Sequence, residues 1–498
     1  MAQSDQQLYS ALKATSLISA ASVVNLLVGV ARSKAFALFL GAAGVGLTGL
    51  YYNIMFVFSL LFEGGVGMAV VREMARDVAA AERARIHRAI LWMMACMAVL
   101  CAAAIWILSQ EIATRVVNDA DRSADMAYLA IGAAAFLASR VLTGVLQGQK
   151  RTGFYAIVVG VGGLCGTIPA IALSAIYGAD LIPLIVICTP IATLLVAMVL
   201  VWKARPRLPE PIPFRELSAP ARGLIRLGVI LMVSYILQHL VVLYLRAHII
   251  DNGGLAVAGF FHAGWTVALL YMTLVTQSLG TDYFPRLTGQ IDTPAAVATV
   301  NQGLLVGLLI TVPMVIGTIG GAGLALTLFF SSEFVPAAAL LQFLSLGNIF
   351  KAMSIALAYV AMAKGWRFVY LGFDLVMNAA FLGLSLAFYD SWGLMVIGMA
   401  YCLGYGLHAG CAFLVARRAI GLRLDGPVRV TILLGLGLAV LTLAAALWRP
   451  EAGLAVGAVA LAISGIYSLR LLARILPPEG RLGRLIARLN AWVPLIGR

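Results

Sequence analysis

Charge is the scarcest property of this sequence. Of its 498 residues, only 11% are Asp, Glu, Lys or Arg, whereas 62% are hydrophobic, and the mean hydropathy is +0.99. Soluble domains are about a quarter charged and about half apolar. The composition therefore excludes an ordinary soluble globular protein and predicts an all-α polytopic membrane protein.

Cysteine is scarce as well, and the six that occur all lie inside apolar runs, without metal-ligand spacing. We expect them to be small core residues, and we expect no metal, cofactor or catalytic site. No G-x-x-x-x-G-K-[ST] phosphate loop is present, which excludes a nucleotide motor of the chain's own. The net charge of +14 lies in short segments between apolar runs, which indicates a lipid bilayer rather than nucleic acid as partner.

Long apolar runs dominate what is there. A spanning helix needs about 20 mostly apolar residues, and by that rule we count about fourteen spans. The runs lie near 12–40, 44–69, 87–109, 126–147, 153–176, 181–202, 224–249, 255–281, 297–328, 335–362, 366–389, 393–416, 428–448 and 452–473. The ninth is too long for one simple span and contains Pro313 and a glycine-rich stretch, which predicts a kink.

Lysine and arginine are distributed unevenly between alternate loops. One set of loops holds most of them, whereas the opposite set holds only Arg115, Arg122 and Arg449. The positive-inside rule then places both termini of this multi-pass chain in the cytoplasm. The opposite loops are too short for an extracytoplasmic domain.

The spans divide into two lobes of six helices. We predict a first lobe at 1–202, a proline-rich cytoplasmic linker at 203–222 and a second lobe at 223–420. Two appended helices follow at 421–475, and a basic amphipathic cytoplasmic tail at 476–498. An even number of spans in each lobe makes the repeat parallel, about an axis along the membrane normal.

Ionisable residues inside the runs are the candidate site. Arg32 and Arg246 occupy similar places in the two lobes, near the outer end of the hydrocarbon. They either face a central cavity or extend to the outer headgroups, and Lys34, on another side of its helix from Arg32, has the same two alternatives. Arg140 and Lys351 lie deeper, in the fourth span of each lobe, where they face the cavity or form an internal ion pair.

Two carboxylates complete the set. Glu63 and Asp374 are either proton or cation sites, or they neutralise a nearby Arg or Lys. The intramembrane histidines, which include His408, have no ligand spacing, and we expect them to be packed or interfacial. Five cations against two anions predict an anionic substrate, and a guanidinium suits a phosphate because its planar fork donates two parallel hydrogen bonds.

Several stretches resemble a known family. A long first helix ends in Arg-x-Lys-Ala and is followed by LGAAGVGLTGLYYNI and EGGVGMAVVREMAR, while TDYFPRLTGQ follows the eighth run. Together they resemble bacterial polysaccharide flippases of the O-antigen and lipid III type. These belong to the multidrug/oligosaccharidyl-lipid/polysaccharide exporter (MOP) superfamily. The resemblance covers about residues 8–420, and the fourteen spans differ from the twelve of many such flippases.

This resemblance implies a function. It implies translocation of an undecaprenyl-diphosphate-linked oligosaccharide from the cytoplasmic to the periplasmic leaflet of the bacterial inner membrane by alternating access. By position, Arg32 matches the arginine near the end of the family's first helix, and Arg246 matches its counterpart in the second lobe. Polysaccharide polymerase and chain-length proteins are the implied protein partners. The alternatives are a multidrug exporter of the same fold, which would favour cavity carboxylates, and a membrane polymerase or ligase, which would need a large outer loop.

Overall fold

The computed structural model of the chain describes residues 2–75, 78–204 and 218–475. Residues 205–217 of the predicted linker and the predicted tail at 476–498 lie outside the described residues. Every regular element within the described ranges is helical. The predicted all-α class is therefore confirmed.

The chain divides into two compact units, residues 1–259 and 260–498. The first unit contains α1 (Ala2–Glu63), α2 (Val66–Met74), α3 (Ala80–Ile107), α4 (Ser109–Ile112), α5 (Asp125–Gly148), α6 (Thr152–Tyr177), α7 (Ile182–Ala204) and most of α8 (Ser218–Leu270). The border between the units lies within α8, whereas the predicted lobes meet at 203–222. Those lobes were defined by a repeat of sequence features rather than by packing, and they stay a prediction.

The second unit begins with the end of α8 and continues to the last described helix. It contains α9 (Met272–Ser278), α10 (Phe284–Gln290), α11 (Ala295–Gly320), α12 (Ala322–Phe329), α13 (Ala338–Ala363), α14 (Arg367–Trp392), α15 (Leu394–Ile420), α16 (Gly426–Trp448) and α17 (Pro450–Ile475). The last two helices pack against each other and against α11. They correspond to the two helices predicted as appended at 421–475.

Eleven helical segments of the described chain are long and apolar enough to cross a membrane. Three of them, Val23–Glu63, Thr152–Ala204 and Tyr235–Leu270, have 41, 53 and 36 residues. Because one crossing takes about 20 residues, each of the three has room for about two crossings. The count of fourteen spans stays a prediction.

Two glycines interrupt the longest helices where the predicted runs meet. Gly41 (φ 64°, ψ −174°) breaks α1 between the first and second runs, and Gly254 (φ 78°, ψ 177°) breaks α8 between the seventh and eighth. Glycine adopts such positive φ values at little cost because it has no Cβ. The same pairing recurs at Gly178 (φ 57°) and Gly393 (φ 54°), which end α6 and α14. Similar turns thus recur in the same order in both halves of the sequence.

Two predicted runs are less regular than expected. The ninth run passes Pro313 as a helix and breaks instead at Gly321, so α11 is a spanning helix and α12 a short one. The eighth run continues beyond α8 as α9, a π-helical turn at Leu279–Tyr283 and then α10. Pro285 lies in the first turn of α10, where its missing N–H costs no helical hydrogen bond.

Candidate charged sites within the spans

The first unit contains an ion pair between two of the predicted site residues. Arg140 Nε on α5 lies 2.6 Å from Glu63 Oε2 at the end of α1. The Glu63 side chain is 3% exposed and that of Arg140 is 38% exposed. A Cβ at Gly67 would lie 2.2 Å from the other carboxylate oxygen, so the glycine leaves room for Glu63. Glu63 thus neutralises Arg140, and the guanidinium remains partly accessible.

Aromatic rings lie beside this ion pair. The Arg140 guanidinium carbon lies 5.8 Å from the centroid of the Phe56 ring, a distance at which cation–π attraction operates. The Phe56 ring in turn lies 5.6 Å from Phe136 and 4.5 Å from His239, measured between centroids. Helices α1, α5 and α8 therefore contribute a group of aromatic rings that lies on one side of the Arg140–Glu63 pair.

Arg32 lies on α1, nine residues before the break at Gly41. Its Nη1 donates to Thr189 Oγ1 on α7 at 3.2 Å, and its guanidinium carbon lies 5.4 Å from the centroid of the Tyr52 ring. Neither contact cancels its charge. Lys34 is partly buried on the same helix. The observed contacts of Arg32 are with helices of its own unit.

Arg246 occupies the matching place on α8, eight residues before the break at Gly254. Its side chain is buried, with 4% of the residue exposed. Burial of a guanidinium costs free energy unless neighbouring groups compensate its charge. The surroundings of Arg246 must therefore supply that compensation. The structure thus places both predicted arginines of the repeat shortly before a glycine break.

Lys351 lies near the middle of α13, about 20 Å from either end at 1.5 Å per residue. Its ammonium nitrogen is 5.1 Å from the centroid of the Tyr405 ring and 5.8 Å from that of Tyr401, both on α15. Among the described residues it forms no ion pair with a carboxylate. The positive charge is therefore held by the faces of tyrosine rings rather than by an anion.

Hydrogen bonds fix the tyrosine beneath Lys351. The Tyr401 hydroxyl donates to Asn348 Oδ1 at 2.9 Å, and Asn348 Nδ2 donates to the carbonyl oxygen of Ala268 at 2.7 Å. Tyr401 and Asn348 are fully buried. Because every group in this chain of bonds has a partner, the ring presented to Lys351 is well positioned.

Asp374 on α14 faces a histidine rather than an arginine or lysine. His408 Nε2 on α15 lies 3.5 Å from Asp374 Oδ1. His408 is buried, and its ring contacts those of Phe373 and Tyr405 with centroid distances of 5.5 and 6.1 Å. Sequence reasoning did not assign His408 to the site. Its position near the centre of a predicted span is the sequence feature that could have indicated a functional role.

An aromatic cluster adjoins Lys351, and sequence reasoning also missed it. Trp265 lies 5.6 Å from Tyr401 and 6.1 Å from Phe381, and Tyr401 lies 4.7 Å from Tyr405, between ring centroids. The i, i+4 spacing of the two tyrosines on one helix was the signal that predicts a shared face. The cluster packs mostly buried aromatic rings beside one cation.

The described residues contain no group of three or more His, Cys, Asp or Glu side chains placed to hold a metal ion. All six cysteines are free. The ionisable groups within the spans are the chemistry that the fold positions. The class of protein that these features define is a polytopic membrane protein with charged groups held between its helices.

Comparison with solved structures shows that this fold is shared with transporters, two of them described as members of the MOP superfamily. The chain is similar to the lipid II flippase MurJ in an inward closed conformation. The match has a TM-score of 0.66 at 12% identity and covers 93% of this chain and 100% of that one. It is also similar to an inward-facing multidrug resistance MATE family transporter of the MOP superfamily. In that case the TM-score is 0.61 at 16% identity, over 80% and 98% of the two chains.

A third similar structure is a MOP superfamily transporter from Pyrococcus furiosus, with a TM-score of 0.60 at 16% identity over 82% and 96% of the two chains. Its authors describe a binding pocket of reverse polarity that suggests a different function. The sequence matches no protein family profile, and no curated protein matches it significantly. These identities show the fold alone, and solved structures that share the fold are those of transporters and a flippase.

Proposed function

We propose that the chain is a flippase for an undecaprenyl-diphosphate-linked oligosaccharide. It moves this lipid from the cytoplasmic to the periplasmic leaflet by alternating access, in the synthesis of O-antigen or another polysaccharide. Three things support the proposal. The fold resembles that of a lipid II flippase, the sequence stretches resemble polysaccharide flippases, and cations outnumber carboxylates among the candidate intramembrane residues.

The observation that carries the proposal is that Lys351 contacts two tyrosine rings and, among the described residues, forms no ion pair with a carboxylate. A cation at the centre of a span costs a few kcal/mol even on lenient insertion scales, so it faces protein or a water-filled cavity. Cation–π contacts with two tyrosines offset part of this cost without cancelling the charge. An ammonium held in this way can bind a phosphate group, whereas one paired with a carboxylate would first have to break that pair.

The arginines provide further positive charges that an anionic substrate can contact. Arg32 is held by a threonine hydroxyl and a tyrosine ring, and neither contact competes with an anion as a carboxylate would. Arg140 still has N–H groups to donate after its Nε has paired with Glu63. We assign Arg32, Arg246, Lys351 and Lys34 to the diphosphate or to acidic sugars, Arg140 with its remaining N–H groups to acidic sugars alone, and Glu63 to charge balance at Arg140.

The proposal includes a location. We place the protein in the bacterial inner membrane with both termini in the cytoplasm, on the basis of the loop charges. Its partners would be the lipid-linked glycan, the bilayer and the polymerase and chain-length proteins that use the product.

A multidrug exporter is the second candidate, because the chain also resembles MATE transporters. A cationic drug, however, needs carboxylates in its pocket, and Glu63 is already paired with Arg140 while Asp374 faces His408. The polarity of the charges therefore favours an anionic substrate.

The test uses a host strain whose own copy of this gene has been deleted. Lys351→Glu should abolish surface polysaccharide and cause lipid-linked glycan to accumulate on the cytoplasmic leaflet, because it places an anion where the diphosphate binds. Lys203→Gln, at the exposed end of α7, is the matched control and should complement fully. Full complementation by Lys351→Glu would overturn the proposed substrate site.

A further inference from the structure

Two residues that precede Lys351 on α13 by about one turn, Gly347 and Asn348, both lie against Tyr401 of α15. Tyr401 is one of the two tyrosines whose rings lie near the Lys351 ammonium. Residues three and four positions apart on a helix are neighbours on its surface, so Gly347, Asn348 and Lys351 share one side of α13. A single short segment therefore carries the cation and two contacts to the ring that holds it.

Gly347 allows the Tyr401 ring to lie directly against the backbone of α13. A Cβ at this glycine would be 2.6 Å from Cδ1 of the Tyr401 ring and 3.0 Å from the Cα of Cys402. Non-bonded carbon atoms are most stable at about 3.5–4.0 Å, so a methyl group here would push the ring or α15 away. The absence of a side chain at this position therefore sets how closely the ring approaches α13.

Asn348 holds the hydroxyl end of the same ring. Its Nδ2 donates to the carbonyl oxygen of Ala268 at 2.7 Å and to the Tyr271 hydroxyl at 3.0 Å, while its Oδ1 accepts from the Tyr401 hydroxyl at 2.9 Å. A backbone carbonyl can only accept, so the amide nitrogen must face Ala268 and the amide oxygen must face Tyr401. The side chain thus supplies two donors and one acceptor, and neither an aspartate nor a leucine in its place offers that combination.

These hydrogen bonds attach the Tyr401 ring to the irregular part of the eighth run. Ala268 lies in the last turn of α8, and Tyr271 is the residue between α8 and α9. Asn348 is fully buried, so no water replaces a hydrogen bond that it loses. A buried group left unpaired costs free energy, and a ring freed from its partner would move to find another. The ring is therefore held by α8 and α13 as well as by its own helix.

Lys351 depends on such support because its side chain is flexible. A four-carbon stem has many rotamers, and ordering it when a ligand binds costs affinity. The Tyr401 ring, whose centroid is 5.8 Å from the ammonium nitrogen, restricts the lysine only if the ring itself keeps its position. Binding groups are held in a productive place by neighbours whose own side chains are fixed by packing and hydrogen bonds. Displacing the ring should therefore release the ammonium from the place at which it meets an anion.

We propose that Gly347 and Asn348 are positioning residues of the Lys351 site, which act on the bound anion only through the Tyr401 ring and the lysine. This inference rests on the proposed function, since it takes a diphosphate as the anion that Lys351 binds. It has a consequence that a role in folding alone lacks. Because residues that act through one another are not additive, replacing Asn348 weakens anion binding while Lys351 is present and has no further effect once Lys351 is replaced.

The experiment is a double-mutant cycle in binding affinity. The full chain in lipid nanodiscs is titrated calorimetrically with farnesyl-diphosphoryl-N-acetylglucosamine, which is a diphosphate diester. Asn348→Leu should weaken binding about 3- to 10-fold, as expected for a lost cation–π contact. In the Lys351→Gln protein the same change should alter the affinity by less than about twofold. Gly347→Ala should follow the same pattern, because its methyl group displaces the ring.

Gln342→Leu is the matched control for the loss of a buried amide. Gln342 is also buried on α13, and its Nε2 donates to the carbonyl oxygen of Ile319 on α11 at 3.4 Å. Its replacement should lower the thermal stability, as Asn348→Leu does, but should leave the affinity for the probe within about twofold of the wild type. Tyr401→Phe removes only the hydroxyl that donates to Asn348, and it should reproduce part of the loss of affinity.

The outcomes separate this inference from the proposed function. Equal weakening by Asn348→Leu with and without Lys351 would overturn the inference alone, as would a folded Asn348→Leu protein with the affinity of the wild type. If Asn348→Leu does not fold, Tyr401→Phe takes its place in the cycle, and the same two results decide. A wild type that does not bind the probe, or an affinity that Lys351→Gln leaves unchanged, would overturn the proposed diphosphate site as well.

Discussion

The two units hold their deep cations in opposite ways. Arg140 in the first unit is paired at 2.6 Å with a buried carboxylate and is locally neutral. Lys351 in the second unit lies over two tyrosine rings, and the nearby carboxylate Asp374 faces His408 instead. Arg140 and Lys351 are both cations at similar positions in their spans, but their different contacts indicate different roles. The first pair contributes mainly to structure, and the second cluster contributes net charge for binding.

Charge reversal should distinguish the structural role of Arg140 from the binding role of Lys351 most strongly. Arg140→Glu would bring a second carboxylate beside Glu63 and should destabilise the first unit by about 3–5 kcal/mol, the range for breaking a buried ion pair. Lys351→Glu introduces no like-charge contact, so it should leave the protein folded while transport is lost. Fluorescence-detected size-exclusion chromatography and thermal unfolding in detergent measure the folded fraction of each.

The charge swap provides the control for this prediction. Glu63→Arg combined with Arg140→Glu should recover much of the folded protein that Arg140→Glu loses, because the pair is restored with its charges exchanged. Equal losses of folded protein in Arg140→Glu and Lys351→Glu would remove the proposed distinction between the units.

A double-mutant cycle sharpens the comparison. Arg140→Gln leaves the buried Glu63 carboxylate without its cation and should cost about 1–3 kcal/mol of unfolding free energy. Adding Glu63→Gln should return part of that loss, which gives a coupling energy of about 1 kcal/mol or more for a pair in contact. The His408→Gln and Asp374→Asn cycle should give a smaller coupling, because its two atoms are 3.5 Å apart. Coupling of equal size in both cycles would contradict this ranking.

Much of this architecture could be predicted from the sequence, because hydropathy and glycine positions encode it locally. The gaps between the first and second runs and between the seventh and eighth contain Gly41 and Gly254, where the helices break. The break at Gly321 was harder to place, since Pro313 gave a competing signal in the same run. Proline can remain within a spanning helix when neighbouring groups satisfy the freed carbonyl.

The partners of the charged residues could not be predicted. Arg140 and Glu63 are 77 residues apart in the chain, and only the packing of α5 on α1 brings them together. Asp374 could have faced any cation within reach, and the choice of His408 depends on how α14 lies against α15. The roles of Tyr401 and Tyr405 depend likewise on which face of α15 meets Lys351.

The smallest expected effect concerns the ring beneath the lysine. Tyr405→Phe keeps an aromatic face for the Lys351 ammonium and should change the affinity for the diphosphate diester by less than about twofold. Tyr405→Leu removes that face and should weaken binding several-fold, since an exposed to partly desolvated cation–π contact is worth about 0.5–2 kcal/mol. Calorimetric titration of both variants with farnesyl-diphosphoryl-N-acetylglucosamine measures the difference. If Phe and Leu behave alike, the ring face does not position the ammonium.

The central claim is that Lys351 is the deep cation left available for a diphosphate. The most direct test compares the affinity of the wild type, Lys351→Gln and the Arg140→Gln/Glu63→Gln double variant for the same probe. A charged hydrogen bond contributes about 1.5–3 kcal/mol, so Lys351→Gln should weaken binding about 10- to 100-fold. The double variant, which replaces a neutral pair by two neutral amides, should bind within a few-fold of the wild type. Unchanged affinity in a folded Lys351→Gln protein would contradict the claim.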